Sequence, residues 1–201
     1  MKLESVLFAV AGMLFGVILG WIIGSQQVAQ APGPPAAAQA APAQGGSAPQ
    51  QQPAVLDEGR VQALRTIVDN DPKNAEARVQ LANTYFDGER FADAITWYED
   101  ALRLDPRNVN ASTDLGVSYY YMNQPDRALK QFDHSLSIDP AHTKTLLNQG
   151  IVRAFGKQDL DGATASWQKV VELAPDSPEG QAARRALDSM RSAHPGGAGT
   201  L

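Results

Sequence analysis

The chain reads as an all-α solenoid of stacked helical hairpins, preceded by an apolar segment and a linker. Three observations point there. Asp-Pro recurs at Asp71-Pro72, Asp105-Pro106 and Asp139-Pro140, an interval of 34 residues each time, and a fixed period of that size marks a repeat array. Small residues return in the same register, as Ala82, Gly116 and Gly150 and again as Ala94, Ala128 and Ala163. Large residues return beside them: Leu81 and Leu115, Tyr85 and Tyr119, then Tyr98, Phe132 and Trp167. Small side chains let two helix backbones approach, and bulky ones three or four positions away fill the groove alongside.

The elements follow in order. Residues 1–4 form a short N-terminus, read as cytoplasmic. Residues 5–24, SVLFAVAGMLFGVILGWIIG, carry no charge; twenty such residues suffice to cross a hydrocarbon core of ~30 Å as a helix. This predicts an uncleaved transmembrane anchor, although Ala29-Gln30-Ala31 has the form of a signal-peptidase site. Lys2 precedes the apolar stretch and the next basic residue is Arg60, so the positive-inside rule places the repeats on the periplasmic or extracytoplasmic side of the inner membrane. Gly12, Gly16, Gly20 and Gly24 fall on one helix face, a small-xxx-small ridge suited to contact with a second copy or another membrane helix. Residues 25–54 are almost wholly Ala, Pro, Gln and Gly, a composition that stays unfolded. As coil they span ~30 Å and as polyproline II up to ~90 Å, a tether rather than a clamp.

Residues 55–193 are the folded domain. A first helix over 57–70 places Val61, Leu64, Ile67 and Val68 on one face. Three full units follow at 75–108, 109–142 and 143–177, the last with one extra residue, so that its proline is Pro175. Pro closes the second helix of each unit because it cannot continue one, and Asn74 and Asn108 stand where they cap the next helix. Ser177-Pro178-Glu179 reads as N-cap, first-turn proline and acid, opening an end helix over 178–193. That helix turns Ala182, Ala186, Leu187 and Met190 inward and Arg184, Arg185 and Arg191 outward, as the last element of a stack must. Residues 194–201 form a flexible tail.

Bulk composition narrows the function. Removing Lys2 and Glu4 from 17 basic and 22 acidic residues leaves 16 against 21, a net of −5 on the array. That argues against nucleic acid or anionic lipid as partner, since both need a basic face. The chain has no cysteine, which rules out disulfides, thiol catalysis and Cys-ligated zinc. His134, His142 and His194 have no acidic partners at metal-ligand spacing. Asp87-Gly88 and Asp161-Gly162 read as turns between helices, the pairs Glu99-Asp100 and Asp57-Glu58 as solvated helix faces, and Asn110-Ala111-Ser112 as a glycosylation sequon by pattern. No cofactor, metal site or enzyme activity is expected.

This register resembles the tetratricopeptide-repeat (TPR) family, most clearly in Leu115-Gly116, Tyr119, Ala128, Phe132 and Pro140 of the second unit. Departures are Arg78, Ser112 and Leu146, where the family often has Trp, and Gln149 and Arg153, which are expected to weaken packing in the third unit. The resemblance implies that the first helix of each unit lines a concave groove. Its groove slots correspond to Glu76, Val79, Gln80, Asn83, Phe86 and Asp87; to Asn110, Thr113, Asp114, Val117, Tyr120 and Tyr121; and to Lys144, Leu147, Asn148, Ile151, Ala154 and Phe155. Amides such as Asn83 and Asn148 can donate to and accept from a peptide backbone, and the aromatic residues either face the groove or pack between units. Some family members clamp an acidic C-terminus with Lys, Asn and Arg. Here Asn83 and Lys144 match that clamp, whereas Val79, Asp114 and Asn148 do not, so a mixed apolar and neutral-polar peptide fits better.

The expected function is a membrane-tethered adaptor or scaffold that binds a peptide segment of a partner and supports assembly of a complex. Trp167-Gln168-Lys169 and Pro175-Asp176-Ser177-Pro178-Glu179 also resemble TPR subunits of bacterial cytochrome c maturation, which implies a chaperone for an apocytochrome C-terminal segment. A self-associating scaffold, dimeric through the glycine ridge, is the third reading.

Overall fold

The computed structural model describes residues 55–193, where eight α-helices and one π-turn occur without a strand. The apolar stretch 5–24 with its four glycines, the linker and the tail lie outside the described residues. Among the described residues no helix is long and apolar enough to cross a membrane.

A lone helix, α1 (Glu58–Asn70), precedes three hairpins. The first pairs α2 (Ala75–Asp87) with α3 (Phe91–Leu104), and the second α4 (Val109–Tyr121) with α5 (Pro125–Ile138). The third pairs α6 (Thr143–Ile151), which runs on into a π-turn (Val152–Gly156), with α7 (Leu160–Leu173). The end helix α8 (Pro178–Ala193) packs on α7, and each helix packs on the next in sequence.

The Asp-Pro anchor has a local cause. Asp71, Asp105 and Asp139 end their helices, each backbone N–H still reaching the carbonyl four residues back. Their carboxylates accept from the backbone N–H of Lys73, Arg107 and Ala141 at 3.0–3.2 Å, an Asx-type turn that folds the chain over the proline. Two residues on, Asn74 and Asn108 accept from Ala77 and Ala111 N–H at 2.8 and 2.9 Å, capping α2 and α4 as the sequence predicts. Ser177 caps α8 through Gly180 N–H.

Between the helices of each hairpin one residue adopts a left-handed backbone: Glu89 (φ 55°), Asn123 (φ 56°) and Gln158 (φ 56°). Gly88, by contrast, is right-handed (φ −83°); it is small because a Cβ there would come within 3.1 Å of the Leu56 backbone. Asp87-Gly88 does open the turn between α2 and α3, but Asp161-Gly162 is not an inter-helix turn. It lies in the first turn of α7, where Asp159 caps Gly162 N–H at 2.9 Å. The extra residue of the third unit is absorbed here. Arg90 and Gln124 N–H close on Tyr85 and Tyr119 carbonyls, five residues back, whereas Asp159 N–H closes on Arg153, six back. The π-turn takes up the difference.

The core is the set of recurring slots. Tyr98, Phe132 and Trp167 are each no more than 1% exposed; burying such a ring is worth roughly 2–3 kcal/mol. The small residues are obligatory beneath two of them: a Cβ on Gly116 would lie 2.5 Å from the Phe132 ring, and one on Gly150 2.3 Å from Trp167 Nε1. Two expectations change at the ends. Ile67 is 46% exposed; it lies on α1, the first of the described helices, which packs chiefly on α2. On α8, Ala182 and Leu187 are buried, together with Gly180 and Ala183, while Ala186 and Met190 are only half-buried.

Candidate functional site

The groove slots sit on α2, α4, α6 and the π-turn, and packing has already claimed several of them. Thr113, Leu147, Ile151 and Ala154 are buried. Thr113 is the plainest correction: fully inaccessible, it donates to Val109 O at 2.8 Å and lies 2.6 Å from Thr145 Oγ1, so it reaches the next unit and not the groove. Phe86 and Tyr121 join Phe91 in an aromatic cluster between the first two units. Phe91 stacks on Tyr121 at 4.4 Å between centroids, and Phe86 meets both edge-on at 5.3 and 5.9 Å. Tyr120 is half-buried, its ring within 3.2 Å of where a Gly156 Cβ would stand. Val79, Gln80 and Val117 are half-buried, and Glu76 and Asn110 are exposed.

The two amides prove unlike. Tyr98 donates its hydroxyl to Asn83 Oδ1 at 2.6 Å, which leaves Asn83 presenting its amino group. Asn148 instead donates Nδ2 to Lys144 O at 2.8 Å, which leaves its oxygen. Asn83 is therefore left with donor capacity and Asn148 with acceptor capacity. Lys144 is not a free cation, because Asp114 pairs with it at 2.7 Å. Phe155 is 45% exposed.

Charge gathers at the first inter-unit junction. Although Asp87 as a residue is exposed, enough protein surrounds its carboxyl that loss of water raises its pKa. Arg60 on α1 opposes that rise and Asp114 adds to it. Tyr98 feels both carboxylates, and burial first, then Asp114 and Asp87, pushes its hydroxyl far above the ordinary 10.0. Tyr121 is pushed up to about 12 by burial, Glu89 and Tyr120. Asn83 and the buried Tyr98 are hydrogen-bonded here, and the charges of Asp87 and Asp114 both act on Tyr98.

The opposite wall, formed by α3 and α5, carries an open groove of about 500 Å³ lined by Leu102, Pro106, Leu115, Tyr119, Lys130 and His134 among others. The sequence reading did not anticipate it. At its edge Tyr119 donates to Glu99 and accepts from Arg127 Nη2 at 2.7 Å, and the guanidinium lies 3.9 Å from the Tyr119 ring centre. Burial and the Glu99 bond push Tyr119 up to about 12 against the opposing effect of Arg127. Of the sequon residues, Asn110 is exposed and Ser112 is fully buried. Among the described residues no cluster of His, Asp and Glu could hold a metal.

Known proteins share this architecture. Models described as "TPR repeat" and "Tetratricopeptide repeat" match residues 82–123 and 109–142. No curated protein matches the chain. Among solved structures, MamA is 17% identical with a TM-score of 0.57, the match covering 69% of this chain and 91% of that one. The first TPR of Spaghetti (RPAP3), bound to the HSP90 peptide SRMEEVD, is 24% identical with a TM-score of 0.55 over 61% of this chain and 94% of its own. The TPR domain of Arabidopsis OM64 is 18% identical with a TM-score of 0.53 over 58% of this chain and 95% of its own. At these identities the likeness is one of fold. Residues 82–142 thus match tetratricopeptide-repeat models, and the period, the small-residue slots and the hairpins carry the same register on either side of them.

Proposed function

We propose that the protein is a membrane-tethered adaptor whose inner helices hold a peptide segment of a partner protein, and that its work is binding and not catalysis. The observation that carries this reading is the row left over after packing: the Asn83 amino group, the Asn148 oxygen, Asp87 and the exposed Phe155. These offer donor, acceptor, charge and apolar area along one helix layer, which is what main-chain and side-chain recognition of a segment requires. An RPAP3 domain of the same fold is bound to a peptide, which supports a peptide as the kind of ligand. The apolar stretch 5–24 is the tether, the repeats lie outside the cytoplasm, and the uncharged linker gives them reach.

The narrower reading as an apocytochrome chaperone gains nothing further. Trp167, which carries part of that resemblance, is a core ring bonded to Leu147 O at 3.1 Å, and Ser177 is a helix cap. A scaffold built from copies of this chain remains the rival. Photo-crosslinking from Asn148 and Phe155 separates the two. Capture of a segment of another protein, lost by more than tenfold in Asn148→Ala with Phe155→Ala and kept in His134→Ala on the outer wall, supports the adaptor. Crosslinks only to the same chain, or equal capture by all variants, reject it.

A further inference from the structure

The inner face is not uniform along the stack. Counted from the start of each unit, Asp87, Tyr121 and Phe155 hold the same position, the last of them inside the π-turn, so the first unit presents a carboxylate where the third presents an exposed ring. On the inner face Glu76, Asp87 and Asp114 oppose Lys144 alone, three minus one leaving a net of −2. Lys144 is already held by Asp114, and Glu76 accepts from Gln80 at 3.0 Å. Asp87 makes no ion pair among the described residues; Arg60 is its nearest electrostatic counterweight, from the edge at α1. Its neighbour Asp114 makes the spot more negative, while the Asn83 amino group beside it serves a backbone carbonyl. At the other end Phe155 is 45% exposed and offers apolar surface.

Resting on the groove reading above, we propose that the bound segment is basic at one end and apolar at the other: a Lys or Arg sits by Asp87 and Asp114, and a large apolar side chain lies against Phe155. Two helix-packing steps of ~8–10 Å separate the slots, so an extended segment at ~3.3 Å per residue places the two anchors roughly five or six residues apart. Complementarity of this kind selects partners more than it adds affinity. An acidic terminus is repelled at the first junction, so the peptide seen with RPAP3 is the wrong class of occupant here.

The test is an array of random dodecapeptides probed with the labelled full chain. The expected result is enrichment of Lys or Arg spaced about five residues from Leu, Ile or Phe, with binding weakened by salt. Asp87→Asn lowers affinity for the enriched peptides roughly three- to tenfold and Asp87→Lys further, while Phe155→Ala weakens the same peptides and flattens the apolar preference. Enrichment of acidic peptides, or enrichment indifferent to charge and unmoved by Asp87→Asn, overturns the inference and leaves the groove reading standing. No enrichment of any peptide overturns both.

Discussion

The two inter-unit junctions are built differently on one register. Between the first and second units the contact is mainly apolar and aromatic: Leu81, Tyr85, Tyr98, Leu115 and Tyr119 share a core with the Phe86, Phe91 and Tyr121 cluster at its edge, and Tyr119 and Arg127 reach Glu99 on the outer side. Between the second and third units hydroxyls take over. Ala77, Val79 and Ala101 of the first unit correspond to Ala111, Thr113 and Ser135 of the second, and Ala77 to Thr145 of the third. Across that junction Thr113 meets Thr145 at 2.6 Å and Gln149 donates to Asp133 at 2.9 Å, and behind it, within the second unit, Gln131 and Ser135 donate to the buried Ser112 at 2.7 and 2.8 Å. Gln149 and Arg153, which stand where apolar residues are expected, are satisfied the same way through Asp133, Ser166 and Gly162. No buried side-chain N or O among the described residues lacks a partner. An apolar seam tolerates small shifts, whereas a polar one loses a bond when a partner moves.

The largest expected effect tests the small-residue slots on either side of that contrast. Gly150→Ala drives a methyl to 2.3 Å from Trp167 Nε1 and threatens that ring's bond to Leu147 O, while Gly116→Ala meets only the apolar Phe132 ring at 2.5 Å. Over-packing costs about 1–3 kcal/mol, partly offset by the ~1 kcal/mol helix preference for Ala over Gly. Denaturant titration should therefore show roughly 2 kcal/mol lost for Gly150→Ala and distinctly less for Gly116→Ala. Equal or inverted losses would mean that the indole bond contributes nothing.

Next in size is the hydroxyl seam itself. Thr113 spends its proton on Val109 O, so Thr145 must donate across the 2.6 Å contact, and His142 Nδ1, 2.6 Å from Thr145 Oγ1, must donate in turn. Thr113→Val, which copies the first unit's Val79, removes the acceptor for Thr145 and is expected to cost about 1–2 kcal/mol. Adding Thr145→Val should cost less than its single effect, with a coupling above roughly 0.5 kcal/mol. Strict additivity in the double-mutant cycle would show the two hydroxyls to be independent.

How much of this was legible depends on what repeats. The Asp-Pro interval and the Ala82, Gly116 and Gly150 slots exposed the hairpins, because helix nesting demands the same small residue at the same height in every unit. The face a side chain serves was not legible where its partner lies outside the period. Thr113 holds a groove slot by register but turns to Thr145; Asn83 is spoken for by Tyr98, fifteen positions on. The choice of Tyr over Phe at position 98 was the one available signal, since a buried hydroxyl must find an acceptor. Ile67 was misplaced because amphipathic spacing shows a face without showing whether a neighbour covers all of it.

The smallest effect asks whether the third unit's cap is the weak point of its junction. His142 occupies the slot of Asn74 and Asn108 but caps nothing with its side chain. Burial lowers its pKa below the ordinary 6.5; Lys144 adds to that, while Asp139 chiefly, with Asp114 and Glu179, opposes it. The start of α6 also disfavours a cation. The folded value lies below the unfolded one, so the native state binds fewer protons. The junction therefore has its full stability above the unfolded value near 6.5 and loses it as pH falls, levelling off once folded His142 is protonated. His142→Asn restores the cap of the other units, which is worth ~0.5–1 kcal/mol, and removes this titration. Amide exchange in α6 should slow in the variant at pH above 7 and lose most of its acid sensitivity between pH 7 and 5. Acid sensitivity that survives in His142→Asn would show that His142 is not the titrating group, and the hydroxyl seam would then be stable to the protonation of its terminal donor.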